Sequence, residues 1–105
     1  MDSGLDGLGR YAGPALLVLV SLADGPKHGY AIMEDSGRLS STRLGPGTLY
    51  AVLARLEHRG LIEALPPDDR RRPYRLSASG AAALKAHLNS LQSLANTGLR
   101  RLAAT

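Results

Sequence analysis

Apolar positions recur at spacings that predict two helices in the first part of the chain. The first is expected over residues 14–23, where Pro14 suits the first turn because its missing N–H has no helical partner to lose. Nearly every position of that segment is apolar, which is typical of a central, buried helix. A shorter second helix is expected over residues 28–36, ended by Gly37 and followed by a polar connection over residues 38–45.

The third helix has the clearest pattern in the sequence. Its apolar residues follow the spacing of one helix face, at Leu49, Val52, Leu53 and Leu56. Pro46 stands at the expected start, and Gly60 stands where a helix C-terminus favours glycine. The opposite face carries few charges and several small residues, namely Thr48, Ala51, Ala54, Arg55 and His58. Small side chains on that face allow a large partner to approach the helix backbone closely.

Two short strands are expected next, over residues 61–65 and 73–76, joined by a Pro-Pro-Asp-Asp turn. Ser77 is a suitable N-cap for a last helix that runs towards Leu102. Three helices, a two-stranded hairpin and a long helix predict a mainly α fold with a small β-hairpin, the winged helix-turn-helix. In that fold the third helix enters the DNA major groove. The hairpin, or wing, then reaches the flanking backbone or the minor groove.

These elements divide the chain into three parts. A flexible N-terminal arm is expected over residues 1–12, a winged helix DNA-binding domain over residues 13–76, and a C-terminal dimerisation helix over residues 77–105. Residues of the last helix follow the alternating steps of four and three that form a coiled-coil seam. The predicted dimerisation residues on this seam are Leu84, Leu88, Leu91, Ala95 and Leu102. The alternative is that the seam packs onto the first helix of the same subunit.

Composition excludes several classes of site. The chain of 105 residues favours one compact domain, and its lack of cysteine rules out disulfides and cysteine-based zinc sites. The three histidines lie far apart in the sequence, so neither a metal site nor a cofactor is predicted. No nucleophile–base pair or carboxylate pair has a spacing that suggests an enzyme. The apolar segment 14–23 is too short to cross a membrane and lacks the basic flank of a signal peptide, which predicts a cytoplasmic protein.

The charge balance suits a polyanionic partner, with a net charge of +4 and a pI near 10.0. Arg70, Arg71 and Arg72 lie at the predicted hairpin tip, where three like charges repel unless phosphates or a minor groove neutralise them. The alternative is a solubilising loop whose charge the preceding aspartates partly offset. Lys27 and Arg43 flank the two helices of the motif and are candidate phosphate contacts.

Side chains of the third helix are further candidates for DNA contact. Thr48 and Tyr50 lie in its first turn, where hydroxyls and free N–H groups suit a phosphate oxygen. The alternative is that Thr48 caps the helix and Tyr50 packs against the second helix. Arg55 is a candidate for a contact with a phosphate or with a base, and guanine is the base that arginine contacts most often. The alternative is that Arg55 is a solvated charge on the helix surface. Ala51 lies on the same face, which would set register and sequence.

Three segments resemble signatures of the PadR family of transcription regulators. They begin the second helix, span the third helix and end the wing: Gly25-Pro26-Lys27-His28-Gly29-Tyr30 with Ile32, Pro46-Gly47-Thr48-Leu49-Tyr50 with Leu53, Leu56-Glu57 and Gly60-Leu61-Ile62, and Tyr74-Arg75-Leu76-Ser77 with Gly80. The resemblance covers roughly residues 14–84. It implies a dimeric regulator without enzymatic activity, usually a repressor and often released from its operator by a small molecule. It also implies a short member without a separate C-terminal domain.

The leading hypothesis is therefore a homodimeric repressor that binds double-stranded DNA and responds to a small-molecule effector. The alternative is a winged helix that serves as a protein–protein interaction module, because a fold does not fix a function. That alternative predicts weak, sequence-indifferent DNA binding. The basic residues fall on the wing and at the edges of the motif, and this placement favours DNA.

Overall fold

The computed structural model describes Leu5 and residues 7–105. After a 3-10 turn over Gly9–Tyr11, the elements follow in the order α1 (Ala12–Leu22), β1 (Lys27–His28), α2 (Gly29–Leu39), α3 (Pro46–His58), β2 (Ile62–Ala64), β3 (Pro73–Leu76) and α4 (Ala78–Ala103). The three strands form an antiparallel sheet in the order β1-β3-β2. The mainly α fold class with a small β-structure is confirmed, as is the order of the four predicted helices.

Helix α1 lies at the centre of the domain and packs against α2, α3 and α4. Its inward positions are fully shielded from solvent, as expected of a segment that is apolar nearly all round. The stripe predicted on the third helix is also buried, which confirms that pattern. The buried apolar side chains contributed by these two helices are Ala15, Val18, Leu19, Leu22, Leu49, Val52, Leu53 and Leu56.

The sheet contains one strand more than the predicted hairpin. Lys27 pairs with Tyr74 and His28 with Pro73, so the short segment ahead of α2 forms the edge of the sheet beside β3. The hairpin itself is confirmed, with β2 shorter than predicted. At its tip, Asp69 and Arg70 have φ angles of +50° and +67°, which is the backbone of a tight two-residue turn.

Helix α2 is longer than the sequence predicts. Gly37 does not end it, because the helix continues to Leu39 and is closed by the Ser40 N–H, which donates to the Ser36 carbonyl at 3.0 Å. The buried Ser36 hydroxyl donates to the Met33 carbonyl and accepts from the Leu44 N–H. Through the second of these hydrogen bonds, Ser36 holds the connection between α2 and α3 against the end of α2. The connection covers residues 40–45 and is shorter than the predicted one.

Part of the segment predicted as a flexible arm over residues 1–12 packs against the domain. Leu5 and Leu8 are buried in the hydrophobic core, and Gly9–Tyr11 form a turn that leads directly into α1. Burial of two leucines opposes the chain entropy that glycine adds to this segment. The rest of the predicted arm, residues 1–4 and 6, lies outside the described residues.

One of the predicted dimerisation residues belongs to the subunit core. Leu84 is 5% exposed and joins the core cluster, because α4 packs against α1 at this level. The alternative of packing within the subunit therefore describes Leu84, which is not available on the surface of the subunit. Leu88, Leu91, Ala95 and Leu102 are exposed along the same helix.

A tight corner joins the end of α3, the wing and the start of α4. Gly60, with a φ of +73°, ends α3, and its carbonyl accepts from the hydroxyls of Ser77 and Ser79 at 2.6 and 2.9 Å. The Leu61 carbonyl accepts from the Ser77 N–H at 3.1 Å. The predicted Ser77 N-cap is confirmed by its acceptance of the Gly80 N–H at 3.0 Å.

We expect Gly80→Ala to destabilise the protein by about 3 kcal/mol or more, because the added Cβ would lie 1.8 Å from the Leu61 carbonyl oxygen. The free energy of unfolding in urea, followed by circular dichroism, measures this change. Gly13→Ala is the matched control, since a Cβ there meets no atom within 4 Å and gains up to about 1 kcal/mol of helix propensity. Equal stability of Gly80→Ala and the wild type would show that the corner is not as tight as described.

Candidate nucleic-acid interface

The N-terminus of α3 is open to an anion. Its N-cap is Gly45, which has no side chain to accept a hydrogen bond, and Pro46 occupies the first turn. The amides of this turn lack intrahelical acceptors and lie at the positive end of the helix dipole. Thr48, in the same turn, is partly exposed beside them. This end of the helix therefore has the chemistry of a phosphate contact.

The exposed side of α3 has a central strip and two flanks. Opposite the buried stripe, helical spacing places a strip of mostly small residues, Gly47, Ala51, Ala54 and His58. Tyr50 lies on the flank that faces the wing. Thr48 and Arg55 lie on the other flank, which faces the turn at Gly9–Tyr11. Only this side of α3 is accessible, so it is where a ligand must approach the helix.

A cleft of roughly 460 Å³ separates α3 from the wing. The residues that line it are His28, Gly29, Tyr30, Tyr50, Arg70, Arg71, Arg72 and Tyr74. Tyr50 is 55% exposed and crosses the start of α2, where a Cβ on Gly29 would lie 2.9 Å from the Tyr50 hydroxyl. Tyr50 thus packs against α2, which was the alternative interpretation, and also faces the cleft.

The three wing arginines all border this cleft, so the structure brings them together with Tyr50. The Arg71 guanidinium approaches the His28 Nε2 atom at 3.2 Å, while the His28 Nδ1 atom accepts from the Ala31 N–H at 3.4 Å. A neutral imidazole has one acceptor nitrogen, so it can satisfy only one of these donors. Burial raises the pKa of the Tyr74 phenol, which also lines the cleft.

On the other flank, Tyr11 lies between two arginines. The Arg55 guanidinium lies 4.1 Å from the centre of the Tyr11 ring, and the Arg10 guanidinium lies 5.1 Å from it. Arg10 also donates to the Tyr11 hydroxyl at 3.2 Å, and this hydrogen bond is the main cause of the lowered pKa of Tyr11. The positive charges of Arg10 and Arg55 lower this pKa further.

Arg10 and Tyr11 were not among the candidates found in the sequence, because they fall in the predicted arm. The available signal was an arginine and a tyrosine placed directly before the first helix. Their closeness to Arg55 depends on the packing of Leu5 and Leu8, which the local pattern does not reveal.

Lys27 does not join the other basic candidates. Its Nζ atom donates to the Ser21 carbonyl and contacts the Asp24 carboxylate, and its side chain is only 20% exposed. The hydrogen bond from Lys27, followed by its charge, lowers the pKa of Asp24. Its two contacts tie Lys27 to the C-terminal end of α1, and Lys27 is not among the residues that line the cleft beside the wing.

Arg43 already forms an ion pair within the domain, with Glu34. Its guanidinium lies 2.8 Å from the Glu34 carboxylate and 6.0 Å from the centre of the Tyr30 ring. It also borders a shallow cleft with Arg10, Tyr11 and Thr48 at the N-terminal end of α3. To bind a phosphate, the Arg43 guanidinium therefore has to contact the phosphate and the Glu34 carboxylate at the same time.

The four ion pairs formed by the described residues involve Lys27, Arg38, Arg43 and Arg75. None of them includes Arg10, Arg55 or a wing arginine. The cations that surround the exposed side of α3 therefore retain most of their attraction for an external anion.

Within Leu5 and residues 7–105, no helix combines the length and the apolarity needed to span a membrane. In the same part of the chain, no group of three or more His, Asp or Glu side chains is placed to hold a metal ion.

Comparisons with known proteins agree on a family. Residues 18–86 match the model of the transcriptional regulator PadR-like family. Transcriptional regulator Rv3488 of Mycobacterium tuberculosis is 40% identical over 83 residues, which cover 76% of this chain and 77% of that protein. An uncharacterized 37.1 kDa protein in transposon TN4556 of Streptomyces fradiae is 46% identical over 79 residues. These span 75% of this chain but only 23% of the transposon protein.

The fold is also shared with solved structures. A PadR-like transcription factor from Bacteroides fragilis superposes with a TM-score of 0.77 at 21% identity, over 89% of this chain and 93% of that one. The match to the family model covers more than half of the chain, and Rv3488 extends the likeness over most of both proteins. This chain belongs to the PadR-like family of transcriptional regulators.

Proposed function

We propose that this chain is a sequence-specific DNA-binding repressor that acts as a homodimer and is released from its operator by a small-molecule effector. The observation that carries the proposal is the exposed side of α3, which has a strip of small, mostly uncharged residues with the wing arginines on one side and Arg10 and Arg55 on the other. Among the residues that the structure describes, none of these arginines forms an ion pair with a carboxylate. A helix that enters a groove needs this combination of close backbone approach and flanking positive charge.

The two flanks have separate tasks in the proposed complex. On the wing side, Arg70, Arg71 and Arg72 neutralise phosphates next to the groove, with Tyr50 as a hydroxyl donor beside them. At the start of α3, the amides and Thr48 take a further phosphate. Ala51 and Arg55 face the bases, where arginine is suited to the O6 and N7 atoms of guanine.

Dimerisation of the proposed repressor uses the exposed part of α4. Beyond Leu84 the helix carries a series of apolar side chains that the subunit does not cover, with Leu88 and Leu91 about two-fifths exposed and Leu102 71% exposed. A surface this apolar favours burial against a second copy. Two recognition helices in such a dimer are expected to lie about 34 Å apart, one turn of duplex.

Repression and its relief by an effector rest on membership of the PadR-like family and on the resemblance of its motifs. A reporter gene downstream of a duplex that the protein selects is expected to be less active when the chain is co-expressed. Increased reporter activity on co-expression would indicate an activator and overturn that part of the proposal.

Replacing both Arg70 and Arg72 with alanine is expected to weaken binding to all duplexes and to flatten its salt dependence. The plot of log K against log salt concentration has a negative slope, and each lost phosphate contact makes that slope less steep by about 0.9. Loss of the two arginines is therefore expected to reduce the steepness by about 1 to 2. Fluorescence anisotropy with a labelled duplex, at several salt concentrations, measures this slope.

The matched control is Arg100/Arg101→Ala, which removes the same charge from the last turn of α4. It is expected to leave the slope almost unchanged. A slope that changes equally in both double variants would show that net charge, and not the wing, determines the binding.

Leu91→Asp is expected to convert the dimer into a folded monomer, because a carboxylate cannot be buried unpaired in an apolar interface. Sedimentation velocity at several protein concentrations measures the oligomeric state, and circular dichroism confirms that the helices remain. Ser93→Asp places the same charge two positions along α4, on the side away from the apolar seam, and is expected to remain dimeric. A dimer that survives Leu91→Asp would exclude this face as the interface.

A further inference from the structure

Packing in the hydrophobic core holds the turn at Gly9–Tyr11 beside α3, the helix that enters the groove in the proposed complex. Leu5 and Leu8 are each 6% exposed and lie in the core cluster, and the Tyr11 N–H donates to the Leu8 carbonyl at 3.0 Å. Tyr11 itself packs against that cluster while part of its ring remains accessible. Its position beside α3 is therefore set by tertiary packing, and the function proposed above assigns no role to Tyr11.

The Arg55 side chain is held by contacts on two sides. Its guanidinium lies over the Tyr11 ring at 4.1 Å from the ring centre, and its Nη1 atom donates to the Ala51 carbonyl at 3.1 Å. A free arginine on a helix surface loses considerable side-chain entropy when it docks onto a ligand. An arginine already stacked and hydrogen-bonded in the free protein loses less.

These contacts leave part of the Arg55 fork unused. Guanidinium has five N–H groups, and the bond to the Ala51 carbonyl occupies one of them. Stacking on Tyr11 uses the face of the guanidinium and leaves its edge open. The remaining edge donors match the O6 and N7 acceptors that guanine presents in the major groove.

The geometry points to Tyr11 as a positioning residue that presents Arg55 to a guanine, so that Tyr11 contributes to base selection without touching the base. This inference rests on the proposed DNA-binding function and names a specificity determinant within it. Arg10 anchors Tyr11 from the other side by donating to its hydroxyl at 3.2 Å. The turn before α1 thus belongs to the base-recognising part of the interface.

The test uses the duplex that the full-length wild type selects from a random pool, together with every single-base-pair variant of it. Competition binding measures the preference at each base pair for the wild type, Tyr11→Ala, Tyr11→Phe, Arg55→Ala and the Tyr11→Ala/Arg55→Ala double variant. Thermal unfolding of each variant provides the control for folding.

Tyr11→Ala is expected to reduce the preference for G·C at one base pair by about threefold to tenfold, which corresponds to the strength of a cation–π contact. Tyr11→Phe keeps the ring and is expected to keep most of that preference. In the Arg55→Ala background, Tyr11→Ala is expected to have no further effect on base preference. The salt dependence of binding is expected to stay unchanged in Tyr11→Ala, since no phosphate contact is removed.

A uniform loss of affinity for all duplexes in Tyr11→Ala would overturn the inference, because it would indicate a structural role alone. Equal effects of Tyr11→Ala with and without Arg55 would also overturn it. Arg55→Lys keeps the charge but lacks the planar fork, so an undiminished preference in that variant would contradict the assigned guanine contact. If the wild type selects no duplex, the proposed function itself fails, an outcome distinct from selection that is insensitive to Tyr11.

Discussion

The close approach of α4 to the Leu61 carbonyl is the constraint on which the placement of the wing depends. That oxygen accepts the Ser77 N–H and lies where any side chain on Gly80 would have to go. The preceding Gly60 carbonyl is bound by two serine hydroxyls. One backbone corner therefore fixes the end of α3, the first wing strand and the start of α4 together. The angle between the recognition helix and the wing follows from this junction.

The distribution of carboxylates separates structural cations from cations available to a ligand. In the described part of the chain, Lys27 and Arg43 are held by Asp24 and Glu34, and Arg75 is held by Glu63 across two strands. Such pairs contribute modestly to stability at the surface, but they reduce the attraction of these cations for other anions. The wing arginines and Arg55 are left out of the pairs. Electrostatic attraction is thereby concentrated around the exposed side of α3.

The sequence predicts the elements whose signals are local. The stripe on α3, the stop at Gly60 and the cap at Ser77 each depend on residues within a few positions of one another, and all three are confirmed. Strand β1 has two residues, too few for an alternating pattern, and its partner β3 lies far along the chain. Leu84 packs within the subunit. Its position in the seam does not reveal this, because a seam has the same spacing whether the second surface belongs to the same subunit or to another.

The residues of the candidate site also divide into those with a local sequence signal and those that only the fold brings together. The wing arginines could be predicted because they are adjacent in sequence at a turn, whereas the neighbourhood of Arg55 could not, since it is formed by a glycine-rich segment that two leucines fasten to the core. Phosphate attraction in the proposed complex thus comes from a tight turn whose arginines are adjacent in the sequence. Base selection comes from an arginine whose surroundings exist only in the folded domain. In such an arrangement affinity depends on a few adjacent residues of the wing, whereas specificity depends on an intact core.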